Sequence, residues 1–227
     1  QMASALGGVH RGDRDVPATG NTSLLKQKKE LLQQRLKNGD KKIRELILRE
    51  GRNSKINTVG PKPIARWTFD VDLKDQIGNL HGKAMNGAKI NDGALELDGK
   101  AAYVMTSPIQ SDIKAKTLES WVKLNNLNQR GGAAMSLQSN DGKAFDAIVF
   151  GEREPNRWMA GSEGYSRTQS FGGEEENKAT DQFIHIAIVY QEDGTIKGYR
   201  NGKPYGKSYK SESLKVNSGN FQVLFGM

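Results

Sequence analysis

Phe183-Ile184-His185-Ile186-Ala187-Ile188-Val189-Tyr190 runs into Asp193-Gly194-Thr195-Ile196 and then Tyr199-Arg200-Asn201-Gly202-Lys203. The first eight residues read as a strand, because β-branched and aromatic residues dominate and no helix-favouring stripe interrupts them. Asp193-Gly194 and Asn201-Gly202 supply the positive φ angles that tight hairpin connections need. The stretch therefore predicts antiparallel strands in sequence, with a second tight turn at Asn201-Gly202.

Working outward, the same period of two recurs. Ala65-Arg66-Trp67-Thr68-Phe69 predicts a first strand. Asp92-Gly93 turns into Ala94–Leu97, and Asp98-Gly99 turns into Ala101–Val104. Thr117–Leu124 alternates over eight residues. Ala133–Gln138, Ala144–Phe150, Arg157–Ala160 and Phe221–Phe225 complete the set. Short strands at regular spacing with Gly-containing turns indicate an antiparallel sandwich, not βαβ units.

The charge divides the chain in two. Residues 1–63 hold 14 Lys and Arg against 6 Asp and Glu, whereas residues 64–227 hold 20 of each. Every Phe, Trp and Tyr also falls after residue 63. Residues 1–21 carry no periodicity and read as irregular. Residues 22–51 place Leu25, Leu32, Leu36, Ile43 and Ile47 on one stripe of a basic amphipathic helix. Asn38-Gly39-Asp40 supplies a C-cap and an N-cap in succession, so a helical hairpin is slightly favoured over one interrupted helix. Residues 52–63, with Val59-Gly60-Pro61-Lys62-Pro63, read as a stiff linker. Residues 64–227 form the sandwich. It ends at Met227 inside an apolar run, which reads as a slice of a longer protein.

The 227 residues contain no cysteine, so no disulfide framework or Cys-based zinc site forms, and the compartment stays open. No apolar run approaches the ~20 residues of a membrane span, and no signal peptide is visible at the start. The basic arm lacks aromatics for stacking on bases, so no nucleic-acid partner is expected.

Residues 64–227 resemble the laminin-G-like sandwiches of the concanavalin A-like superfamily. The likeness rests on Trp67-Thr68-Phe69-Asp70 with Leu80-His81-Gly82, on Leu95–Val104, on Leu118-Glu119-Ser120-Trp121-Val122, and on His185-Ile186-Ala187 with Tyr199–Gly202. It implies an all-β fold, a two-sheet antiparallel jelly-roll sandwich preceded by an α-helical arm or hairpin. The wording of Gln129–Gly132, Phe145–Glu154, Trp158–Ser162 and Arg167–Gly173 is similar to the laminin-G-like insert of large planctomycete cytochrome c-linked proteins of unknown function. That likeness implies an extracytoplasmic setting, periplasmic or cell-surface, and flanking domains of the same polypeptide as partners. Haem is expected only in such a flanking domain, because the Cys-x-x-Cys-His motif is absent here.

The candidate chemistry is sparse. Glu152 and Glu154 sit at i and i+2, on one face if the segment is a strand, and glycoside hydrolysis needs two carboxylates. Arg153 separates them and Pro155 follows at once, so a charged strand end is the plainer reading and no catalytic residue is assigned. Asp70, Asp72 and Asp75, with Asn79, cluster in the first loop and offer oxygen ligands for calcium. The competing reading is solvated turn acids. No other cofactor is expected in this chain.

Trp67 and Trp121 alternate with polar residues and read as core. His185, mid-strand, reads as a core histidine with a satisfied hydrogen bond. Glu174-Glu175-Glu176 reads as a solvated acidic loop. Trp158, flanked by Arg157, Tyr165 and Arg167, suits stacking on a sugar ring, and equally suits a loop tucked over the sheet. The leading expectation is a non-catalytic module binding carbohydrate or another cell-surface ligand. The alternatives are an architectural spacer and a glycoside hydrolase.

Overall fold

The computed structural model describes residues 22–53 and 62–226. The readings of residues 1–21 and of the linker between 54 and 61 lie outside the described residues. The chain divides into two compact units, Gln1–Pro61 and Lys62–Met227.

In the first unit, Thr22–Asn53 forms one helix, α1. It passes through Asn38-Gly39-Asp40 unbroken, so the slightly favoured hairpin is not formed. A glycine in a helix interior costs ~1 kcal/mol, less than the loss of the hydrogen bonds that a break would forfeit at both new ends. The space around Gly39 is open, and nothing forces a turn there.

In the second unit the strands are β1 (Gly82–Met85), β2 (Lys89–Asn91), β3 (Ala94–Glu96), β4 (Tyr103–Thr106), β5 (Lys116–Val122), β6 (Ala133–Ser139) and β7 (Phe145–Phe150). They continue as β8 (Trp158–Ser162), β9 (Ile184–Tyr190), β10 (Thr195–Arg200), β11 (Lys203–Pro204), β12 (Tyr209–Lys210) and β13 (Phe221–Phe225). A six-stranded sheet has the order β1-β4-β13-β6-β7-β8, and a second sheet the order β11-β10-β9-β5, with β12 also on β10. All these ladders are antiparallel. Asn201 (φ 49°) and Gly202 (φ 75°) form the two-residue turn between β10 and β11, as the Asn-Gly pair requires.

The first expected strand departs from this plan. Ala65–Phe69 alternates in burial but belongs to no ladder. The Trp67 indole N–H donates to the Leu80 carbonyl at 2.8 Å, and the ring meets Phe225 edge-on at 5.2 Å. Phe69 turns the chain away with φ 55°.

The core lies between the sheets. Ile184, Ile186, Ile188 and Ile196 from the second sheet face Val104, Leu137, Ile148, Phe150, Trp158 and Val223 from the first. The opposite face of the six-stranded sheet carries a smaller cluster, Ala147, Val149 and Met159, also closed to solvent. The opposite face of the five-stranded assembly carries exposed aromatic and polar side chains, and the candidate site lies there.

Candidate functional site: an exposed aromatic face

Strand alternation decides which β5 side chains face water. Leu118, Ser120 and Val122 turn inward, which puts Thr117, Glu119 and Trp121 on the outer face. Trp121 is 64% exposed. It is therefore not a core residue, contrary to its sequence reading. Its polar neighbours at i−4, i−2 and i+2, Thr117, Glu119 and Lys123, mark the solvent face, and that signal was present in the sequence.

The register builds a surface from this strand. Trp121 pairs with His185, and Glu119 with Ala187. Ala187 in turn pairs with Tyr199. His185 stacks against Trp121 at 5.1 Å between ring centroids, tilted by 43°. Its Nε2 lies 3.7 Å from a Glu119 carboxylate oxygen. So His185 also faces outward instead of sitting in the core. Asn201 fixes the next strand: its amide oxygen accepts the His185 N–H at 3.0 Å, and its own N–H donates to the His185 carbonyl at 2.8 Å. Phe183, two residues before His185 and on the same face, is 44% exposed. Trp121, Phe183, His185, Gln182, Asn201 and Gly202 line an open depression of about 470 Å³. Two exposed rings beside amide, imidazole and carboxylate groups can stack on an apolar ring face and hydrogen-bond to hydroxyls around it.

The residues that sequence reading singled out fall elsewhere. Trp158 is 1% exposed and packs against Phe150 at 4.9 Å, so no ring face is left for a sugar. Its flanking positions explain this. Met159 and Ala160 are apolar on both sides of the strand, and both faces of β8 are buried. Its indole N–H donates to Glu176 at 3.0 Å, and the Arg200 guanidinium donates to the same carboxylate at 2.8 and 2.9 Å. Glu176 is thus buried, unlike Glu174 and Glu175, which are solvated as expected for the run. Arg167 is likewise buried. It donates to Asp146 at 2.9 Å, to Glu163 at 2.6 and 2.7 Å, and to the Phe145 carbonyl at 2.8 Å. With Ser166 Oγ at 3.1 Å it has five acceptor atoms and is framework, not a ligand contact. Arg157 is tied to the Gly173 carbonyl and to Glu154 and Glu175. Tyr165 does reach solvent, 50% exposed, with Arg153 over its ring at 5.2 Å.

Glu152 and Glu154 are not on a strand, because β7 ends at Phe150 and the following residues form bends. Burial pushes the Glu152 carboxyl up, against the opposing charge of Arg153. Glu154 instead faces Arg157 at 3.6 Å. The alternation that would have aligned the two carboxylates is missing.

In the first loop, Asp75 is 6% exposed and accepts the N–H groups of Arg66, Ile77 and Leu80 at 2.9, 2.9 and 3.1 Å. Burial works against its charge, yet these amides hold its carboxyl below the usual range. His81 Nδ1 accepts the Asp75 N–H at 3.2 Å and pins the loop. Asp72 accepts the Lys74 N–H in a local turn. Among the described residues no three acidic or imidazole groups come together as a metal cluster, so Asp70, Asp72 and Asp75 do not converge. Asp75 acts as the organiser of its loop. Asp75→Ala is expected to leave three amides unpaired and to cost about 1–3 kcal/mol, read as a lowered thermal midpoint.

Among the described residues no helix is long and apolar enough to cross a membrane. Among solved structures, domain 4 of AbnA, an extracellular arabinanase from Geobacillus stearothermophilus in complex with arabinotriose, is 18% identical. The match covers 71% of this chain and 83% of that one, with a TM-score of 0.48. The carbohydrate-binding module CBM66 from Bacillus subtilis is 12% identical over 63% of this chain and 86% of its own, at 0.38. The non-specific endo-β-1,3(4)-glucanase SCLam is 11% identical over 61% and 62%, at 0.42. No curated protein matches the chain. The family model described as the concanavalin A-like lectin/glucanases superfamily matches residues 98–226, more than half of the 227. On that match, and with the antiparallel sandwich that carries it, the chain belongs to the laminin G branch of the concanavalin A-like lectin/glucanases superfamily.

Proposed function

We propose that this chain is a non-catalytic carbohydrate-binding module of an exported protein, and that it holds its ligand on the face presented by Trp121. The observation that carries the reading is the 64% exposure of Trp121 beside exposed Phe183, over a depression edged by Gln182, His185 and Asn201. An exposed Trp costs hydration free energy unless something covers it, and a sugar's apolar ring face fits it while the hydroxyls reach the rim. The superfamily includes lectins and glucanases. The non-catalytic reading is preferred because Glu152 and Glu154 share no strand face and Glu154 is committed to Arg157.

The test is a screen of the chain on immobilised glycans, repeated with Trp121→Ala. Selective binding by the parent is expected, with a loss of roughly tenfold or more in affinity for the variant. Because the side chain is exposed, unfolding free energy is expected to change by no more than about 0.5 kcal/mol. Binding that survives Trp121→Ala unchanged would remove this face from the reading.

A second reading rests on α1, whose Leu24, Leu25, Leu31 and Leu32 are 50–64% exposed. A leucine stripe of that kind favours docking against another element, and so an architectural role for the arm.

A further inference from the structure

Resting on the carbohydrate reading of the Trp121 face, we infer that the ligand is an internal stretch of a linear glycan, not a terminal monosaccharide. The reason is a second aromatic platform. Tyr199 in β10 lies on the same face as Trp121, because Tyr199 pairs with Ala187, Ala187 pairs with Glu119, and Glu119 and Trp121 are two residues apart on β5. Tyr199 is half-buried. Two strand spacings of ~4.8 Å and one two-residue step of ~6.7 Å put the two backbone positions about 12 Å apart. That leaves room for one sugar on each ring and another between them.

The ground between the rings suits such a ligand. Ala187, the residue directly between Glu119 and Tyr199, is the smallest side chain on the path, so the floor is low. His185 and Glu119 stand on its Trp121 side, 3.7 Å from each other, and Thr117 and Lys197 border the next row across Val189. These groups offer donors and acceptors of both signs, which fits neutral hydroxyls better than a uniformly charged chain. Phe183 extends the aromatic ground beyond Trp121. The depression beside Trp121 is open rather than enclosed, so it sets no stop for a chain that continues along the face. A pocket for a chain end would close around it instead.

The experiment is a length series. Immobilised β-1,4-glucan, β-1,3-glucan, β-1,4-xylan and α-1,5-arabinan are screened first. For each polymer bound, soluble oligosaccharides of increasing length, starting from the monosaccharide, are titrated by calorimetry against the parent, Tyr199→Ala and Tyr199→Phe. For the parent, affinity is expected to climb roughly tenfold or more from the monosaccharide to the tetrasaccharide and then level off. Tyr199→Ala is expected to flatten that climb while leaving monosaccharide affinity unchanged, and Tyr199→Phe, which keeps the ring, to restore it. If Tyr199→Ala does not fold, the parent series and Tyr199→Phe decide the matter. Trp121-dependent binding with equal affinity for one unit and four would overturn the extended track and leave the module reading standing. Absence of binding to every glycan overturns both.

Discussion

Asp146→Ala is expected to destabilise the sandwich by about 3–5 kcal/mol, because it strands the buried Lys116 ammonium and takes one of two carboxylates from Arg167. Asp146 sits on β7 with its side chain wholly closed to solvent. It points between the sheets at Lys116 of β5, whose Nζ lies 2.6 Å from Oδ2 in a charge contact outside hydrogen-bond geometry. Its other oxygen accepts the Arg167 Nε–H at 2.9 Å. Lys116 also lies 4.8 Å from the centre of the Tyr190 ring. Burial works against the Arg167 charge, but Glu163 and Asp146 more than restore it and hold the guanidinium above its ordinary range. Desolvation is the largest influence on the Tyr190 phenol and pushes it well up. Lys116, Asp146 and Tyr190 are all closed to solvent, so a lone charge left among them is poorly hydrated. Removing one partner of such a set costs far more than the set contributes in total. The paired variant Lys116→Met/Asp146→Leu is therefore expected to lose much less than Asp146→Ala, since Arg167 keeps Glu163. Urea unfolding at constant m reads both values. An Asp146→Ala loss under about 1 kcal/mol would show that water enters the site and that the network is weakly coupled.

This network also shows where sequence reading stops. Arg167 stands in a loop among Ser, Gly and Tyr, a setting that suits an exposed ligand-binding arginine. Its partners Asp146 and Lys116 lie on strands that only the sandwich brings together, and no local pattern encodes that meeting. The hairpins are the opposite case. Asn201-Gly202 and Asp193-Gly194 act through their own φ angles, so the turn is fixed by the residues that form it.

The tryptophans fall between these extremes. A single rule separates them: Trp121 has Glu119 and Lys123 two residues away on its own face, whereas Trp158 is followed by apolar residues on both faces of its strand. Read that way, the exposed and the buried ring were both legible. Looking at aromatic-plus-arginine composition, as the Trp158 reading did, hides the alternation. His185 was harder, because Phe183 and Ala187 make its outer face as apolar as the isoleucines on its inner one. The helix break failed for a different reason. Asn, Gly and Asp are good caps but only mildly poor interior residues, so their presence permits a break without requiring one.

Acid is expected to weaken the fold through Glu176 over a defined window. Burial alone would push its carboxyl up, but the Arg200 guanidinium, the Trp158 indole N–H and the Lys178 amide outweigh it and hold the group at about 2, against 4.5 for a free glutamate. The native state therefore binds this proton less readily than the unfolded chain does. Its stabilising contribution is fully present above pH 4.5 and is lost as pH falls to about 2. The difference corresponds to about 3 kcal/mol. Solvent screens this interaction little, because the Glu176 side chain has no solvent exposure. Glu163, held at about 2 by Arg167 and the Phe145 amide despite burial, titrates in the same window and steepens the loss. Glu176→Gln separates the two. It keeps an acceptor for the indole but removes the charge that Arg200 faces, so it is expected to lose about 3 kcal/mol near neutral pH and almost nothing, relative to the parent, near pH 2. Urea unfolding of both proteins across pH 2–7 gives the gap between them as a function of pH. A gap that stays constant through the window would mean that Glu176 contributes through packing alone. A gap that closes on acidification ties the burial of Trp158, the ring that sequence reading offered as a sugar platform, to the charge of the carboxylate that holds it.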